Sequence, residues 1–138
     1  MFNRQNNYGE VSQRFRRERF LRAIEAKLEL VTNGRVTITC QLQEHLSQQQ
    51  GVFQNGVIST IGSAAAIYAA LTILNPGEDV VLIDYKISFI QAALTPMLIA
   101  TGKVISASQA IIVTETLITD QKNEKIIAKL LGTIIVVN

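Results

Sequence analysis

The side chains best placed for chemistry lie in one short stretch: Gln54, Asn55, Gly56, Ser59, Thr60 and Ser63. Gly56, Ser59, Thr60 and Ser63 are spaced i, i+3, i+4, i+7, so on a helix they share one face. Gln54 and Asn55 crown that face. The surroundings are apolar, with no Asp, Glu, Lys or Arg between Glu44 and Glu78. Two readings fit. In one, Asn55 caps the helix and the hydroxyls bond back to carbonyls one turn earlier. In the other, the stripe is a small polar pocket that accepts a carbonyl or carboxylate at the helix N-terminus, where unpaired amides and the helix dipole favour negative charge.

Some chemistries are disfavoured at once. A serine nucleophile at Ser63 needs an adjacent base, and no Gly-x-Ser-x-Gly elbow surrounds it. The only histidine, His45, lies in the polar connection Glu44–Gln50, where it is expected to cap or solvate a turn. With no second histidine, no metal site is expected. A carboxylate from elsewhere in the chain, such as Asp84 or Glu115, is the remaining source of a base.

The stripe belongs to an element that the rest of the chain must wrap. Residues 51–74 read GVFQNGVISTIGSAAAIYAALTIL: a glycine-marked turn runs into a long apolar segment that Pro76-Gly77 stops, which predicts a helix apolar on nearly every face. The length of Gly56–Leu74 permits a membrane span, but Ser59, Thr60, Ser63 and Thr72 interrupt it and basic flanks are lacking, so none is expected. Strand patterns surround it. Lys27–Thr32 and Arg35–Leu42 alternate about Asn33-Gly34, a pair that suits a type I′ turn with positive φ at both central residues. Val36, Ile38, Cys40 and Leu42 share the inward face, which makes Cys40 a buried structural thiol.

Further strands are expected at Asp79–Phe89, Met97–Ser106, Ala110–Asp120 and Lys125–Val137. In the first, Val81, Ile83, Tyr85, Ile87 and Phe89 form one face. In the last, Ile126, Ala128, Leu130, Gly132, Ile134 and Val136 do so, while Leu131 and Ile135 make the opposite face apolar as well. A strand apolar on both sides suggests cover by another subunit. Short turns imply mostly antiparallel pairing. At the N-terminus, Ser12–Glu25 predicts a helix whose apolar stripe is split, Val11 and Phe15 not sharing a face with Phe20, Leu21 and Ile24.

Bulk composition agrees with a single domain over residues 1–138, with 1–10 expected to be flexible. Of the 138 residues, 48% are apolar and 17% charged, which is a globular and not a disordered balance. One cysteine rules out an internal disulfide, and the polar start MFNRQNNYGE shows no secretory signal, so a cytoplasmic location is expected. The net charge of +2 divides unevenly: residues 1–35 hold eight Lys/Arg against four acids, the remainder five against seven. The cluster Arg14, Arg16, Arg17, Arg19 and Arg22 is broken by Glu18, and a solvated helix face is favoured over a nucleic-acid surface.

The residues also carry a resemblance. LSQQQGVFQNGVISTIGSAAAIYAAL (46–71) and VVLIDYKISFIQAA (80–93) resemble, in order and spacing, the phenylacetate-pathway subfamily of hotdog-fold acyl-CoA thioesterases. The family patterns are approximately QQHGFVHAG followed by a T-[IL]-A-D helix, then V-E-Y-K-[IL]-N-F-x-x-P-A. The match runs from about Phe20 to Val137. It implies an α+β hotdog fold: a long central helix wrapped by a curved, mostly antiparallel sheet of about six strands, with an N-terminal helix. It implies hydrolysis of an acyl-CoA or acyl-carrier thioester at a site between subunits of a homodimer or homotetramer, with coenzyme A entering as part of the substrate and no other cofactor.

Carried onto this chain, the family's catalytic positions are Gln54, Asn55, Gly56 and Ser63, with Ser59, Thr60 and Ser88 as substrate-binding positions. Gln54 stands where the family has His, Asn55 replaces a small residue, and Ser63 stands where it has the Asp that acts as base or nucleophile. Ser88 replaces the usual Asn, and Gln91 and Ala92 stand where Arg and Pro are frequent. A slow, altered thioesterase and a non-catalytic protein that binds an acyl or CoA-like ligand both remain open, with a protein or nucleic-acid adaptor using residues 14–22 behind them.

Overall fold

The computed structural model describes residues 7–138. Two short helices, α1 (Tyr8–Arg17) and α2 (Arg19–Ala23), precede a hairpin of β1 (Lys27–Thr32) and β2 (Arg35–Gln41). A single 3₁₀ turn at Glu44–Leu46 leads to the long helix α3 (Asn55–Leu71). Four strands follow: β3 (Asp79–Phe89), β4 (Met97–Ala107), β5 (Ile111–Thr119) and β6 (Ile126–Val137). They form one six-stranded sheet in the order β1-β2-β4-β5-β6-β3, and every neighbouring pair is antiparallel. A long helix lying on such a sheet is the hotdog architecture.

The apolar helix finds its cover as the composition demands. Ile61, Ala65, Ala69 and Ala70 are all but inaccessible, packed with Val36, Ile38, Leu98, Ala100 and Ile118 of the sheet. Small side chains let the backbones approach closely. At Gly102 of β4, an added Cβ would meet the Ala65 backbone at 2.5 Å, so only glycine fits beneath the helix. One turn earlier, Thr116 Oγ1 donates to the Gly62 carbonyl at 2.8 Å, fixing the helix to β5. The C-terminal end is held by Asn7, whose Nδ2 donates to the carbonyls of Leu71 and Leu74 at 3.1 and 2.9 Å. Orphan carbonyls at a helix end need such donors.

Several local expectations are corrected. The single helix over Ser12–Glu25 is two helices, broken at Glu18, whose backbone is extended. The break rephases the split stripe, so that Val11 and Phe15 are buried by α1, and Leu21 and Ile24 by the α2 segment. Residues 1–6 of the stretch expected to be flexible lie outside the described residues, and from Tyr8 the chain is helical. The Asn33-Gly34 turn is not type I′. Only Gly34 takes positive φ, at 77°, the pattern of a type II turn. Tertiary contacts select it: Gly34 N–H donates to Thr72 Oγ1 at 2.7 Å, and its carbonyl accepts from Val104 N–H at 2.9 Å.

Bulges rewrite two strand faces. In β3 the register shifts between Leu82 and Asp84, so Ile83 is the extra residue. Val81 and Ile83 are therefore exposed, while Leu82, Tyr85 and Ile87 pair with the inward-facing Ile134, Gly132 and Leu130. In β6 a second shift, opposite Ile118/Thr119, leaves Ile126 exposed and buries Ile127. Leu131 and Ile135 do sit on the face away from α3, Leu131 exposed and Ile135 half-buried. Cys40 is buried as expected, and that burial, with the nearby Glu25 charge, pushes its thiol up to about 11.

Candidate functional site

Because the sheet covers one side of α3, the other side decides what the helix can offer. Asn55 and Gly56 are exposed, and Ser59, Thr60 and Ser63 are half-buried, in a helix otherwise buried apart from Ile67. The polar stripe is thus the open face. Thr60 and Ser63 line a groove of about 370 Å³ between α3 and the α1–α2 corner, together with Arg14, Glu18, Phe20 and Val80.

The helix start is capped one residue earlier than expected. Gln54, not Asn55, is the N-cap: its side-chain Oε1 accepts from Gly56 N–H, and its carbonyl accepts from Val57 and Ile58 N–H at 3.0 and 3.3 Å. Gln54 therefore satisfies the helix end with both its side chain and its carbonyl. What remains is the Asn55 amide, a first-turn donor with no bond among the described residues.

The hydroxyls divide. Ser63 Oγ donates to the Thr60 carbonyl at 3.1 Å, so this hydroxyl is engaged by its own helix, as the structural reading held. Ser59 Oγ lies instead 2.6 Å from Tyr85 Oη of β3. Tyr85 is a neighbour of the stripe that the sequence pattern missed. Its signal was masked because plain alternation grouped it with Val81 and Ile83, which face away from α3.

Carboxylates are placed unlike the expectation. Asp84 is exposed on the face of β3 away from α3, opposite Thr133. Glu115 also points away from α3 and pairs with Lys129 at 3.5 Å. Neither reaches the stripe within this chain. The carboxylate that shares the groove with Thr60 and Ser63 is Glu18. Its charge is felt at the far end of the groove: the Tyr68 phenol is pushed up by burial first and by Glu18 second, with Arg14 opposing. Arg14 is itself tied to Asp79 at 2.8 Å, a bond that holds the Asp79 carboxyl below its usual range.

Ser88 pairs with Lys129 on the face away from α3, so this chain does not bring it to the other candidate residues. His45 is exposed in the 3₁₀ turn. Among the described residues, no group of three or more His, Cys, Asp or Glu could hold a metal ion, and no helix is long and apolar enough to cross a membrane.

Comparison with known proteins matches this geometry. A thioesterase family protein from Silicibacter pomeroyi superposes with a TM-score of 0.88 at 22% identity, over 93% of this chain and 96% of that one. A thioesterase from Haemophilus influenzae gives 0.89 at 17% identity, over 100% and 96%. The PaaI protein from the phenylacetic acid degradation operon of E. coli gives 0.86 at 16% identity, over 95% and 93%. At such identities these likenesses establish the fold. A comparison with curated proteins found no match. The model of the thioesterase superfamily matches residues 50–127, more than half the chain and all of α3, and the protein belongs to that family.

Proposed function

We propose that the protein acts on an acyl-CoA or acyl-carrier thioester at the N-terminal end of α3, and that its turnover is slow. The observation that carries this is the exposed, polar start of an otherwise buried helix within the family's matched region. A thioester carbonyl placed there meets the free Asn55 amide and the positive end of the helix dipole, which stabilise charge developing on oxygen. Water adds to the carbonyl carbon, the C–S bond breaks, and a carboxylic acid and a thiol leave. Coenzyme A enters as part of the substrate, and the step calls for no further cofactor.

Slowness follows from what surrounds the carbonyl. Water is a poor nucleophile near neutral pH without a positioned base. Ser63 and Gln54 replace the carboxylate and imidazole of the family pattern, and both are engaged in bonds within the helix start. Those same bonds favour the second reading, a protein that binds an acyl-CoA-like ligand without turning it over. Assembly belongs to the proposal too. Exposed Val81 and Leu131, with half-buried Ile135, are expected to be covered by another copy in a homodimer or homotetramer.

The test is thiol release across acyl-CoA chain lengths, with phenylacetyl-CoA included because of the PaaI likeness, paired with calorimetric binding of the same compounds. Slow release supports the hydrolase, and binding without release supports the second reading. Neither release nor binding by the folded protein overturns both.

A further inference from the structure

This inference rests on the thioester reading of the α3 start. Tyr85 Oη and Ser59 Oγ stand 2.6 Å apart, at the short end for a hydroxyl pair. A phenol is the more acidic hydroxyl and so the better donor. With Tyr85 donating, the proton of Ser59 is left to point elsewhere. A serine inside a helix ordinarily returns that proton to a carbonyl one turn back. Ser63 does so, whereas Ser59 makes no such bond among the described residues. Its hydroxyl stands in the stripe with Gly56, Thr60 and Ser63.

The strand is shaped to deliver this contact. Strict alternation along β3 would group Tyr85 with Val81, on the face away from α3. The bulge at Ile83 inserts one residue, reverses the parity and turns Tyr85 onto the helix, opposite Gly132. Tyr85 keeps 40% of its surface exposed, so what the bulge places is mainly the hydroxyl and not an apolar core residue.

We infer that Tyr85 is a positioning residue for the thioester carbonyl: it holds Ser59 so that the serine proton donates to the carbonyl oxygen at the α3 start. Hydroxyls bonded in series polarise one another, which makes Ser59 a stronger donor than it is alone. The pair thereby reads the one group that separates a thioester from a thioether.

Two non-hydrolysable probes test this by calorimetry. One is the ketone analogue of hexanoyl-CoA, in which CH₂ replaces the thioester sulfur and the carbonyl is kept. The other is S-hexyl-CoA, which lacks the carbonyl. Wild type is expected to bind the ketone several-fold more tightly. Tyr85→Phe and Ser59→Ala should each reduce that preference about three- to tenfold, the range of one hydrogen bond, while leaving S-hexyl-CoA affinity within about twofold. A merely structural role would weaken both probes alike, and that result overturns the inference. So does an unchanged preference in Tyr85→Phe, or equal affinity of wild type for the two probes, with CoA binding itself intact. If wild type binds neither probe, the thioester reading of the site fails and takes this inference with it.

Discussion

Gly102 of β4 lies so close to Ala65 of α3 that a Cβ at position 102 would stand 2.5 Å from the carbonyl carbon and oxygen of Ala65. Backbone cannot yield there as a flexible side chain would. Gly102→Ala is therefore expected to lift the helix from the sheet at a cost of about 1–3 kcal/mol or more. Urea unfolding checks this through the midpoint at unchanged slope. An unaltered midpoint would show that α3 is not seated on this strand.

The chemistry has its own reversal experiment. Ser63→Asp introduces a carboxylate two turns after Gly56, facing the open groove, and Gln54→His introduces an imidazole just before the helix, the two groups the proposed reading lacks. A positioned base contributes about 10²–10⁴ in rate. The double variant is expected to gain at least about tenfold in kcat/KM for acyl-CoA, on the low side of that range. Loss of the Gln54 cap is expected to cost about 1 kcal/mol of stability at the same time. A wild type that is already fast would mean that another group supplies the base and that Ser63 is not a vacated catalytic position.

The Arg14–Asp79 pair ties α1 to the start of β3, and it lowers the Asp79 pKa in the folded state. A carboxyl whose folded pKa is depressed contributes stability above its unfolded value, near pH 3.9, and loses it as pH falls through the folded value. Exposure of both side chains screens the pair, so the effect should be small. Thermal unfolding between pH 6 and pH 2 is expected to show a shallower acid-side decline in Asp79→Asn than in wild type. Parallel curves would show that the pair contributes nothing.

Strand β3 ends the sheet, so one edge of its 11 residues is unpaired, and exposed Val81 and Leu131 flank it on the face away from α3. Long unpaired edges invite pairing with another chain. Sedimentation at micromolar concentration is expected to give at least about twice the 15.2 kDa chain mass. A single monomer species would remove the second copy from the proposal.

By itself, the sequence determined the long buried helix, its polar stripe and the strand segments. These are read from hydrophobic period, charge distribution and stop signals, which act over a few residues and survive in any packing. The absence of any carboxylate or imidazole from the stripe Gln54–Ser63 was equally legible, since residue identity needs no structure. Tertiary structure decided what local rules leave degenerate. The Asn33-Gly34 turn took the form that Thr72 and Val104 could bond, against the preference of the dipeptide alone. Ile83 became a bulge, and because strand parity has a period of two, that one inserted residue carried Tyr85 from the outer face to Ser59. The choice of Glu18 over Asp84 or Glu115 as the groove carboxylate likewise depends on where chain segments distant in sequence come to rest.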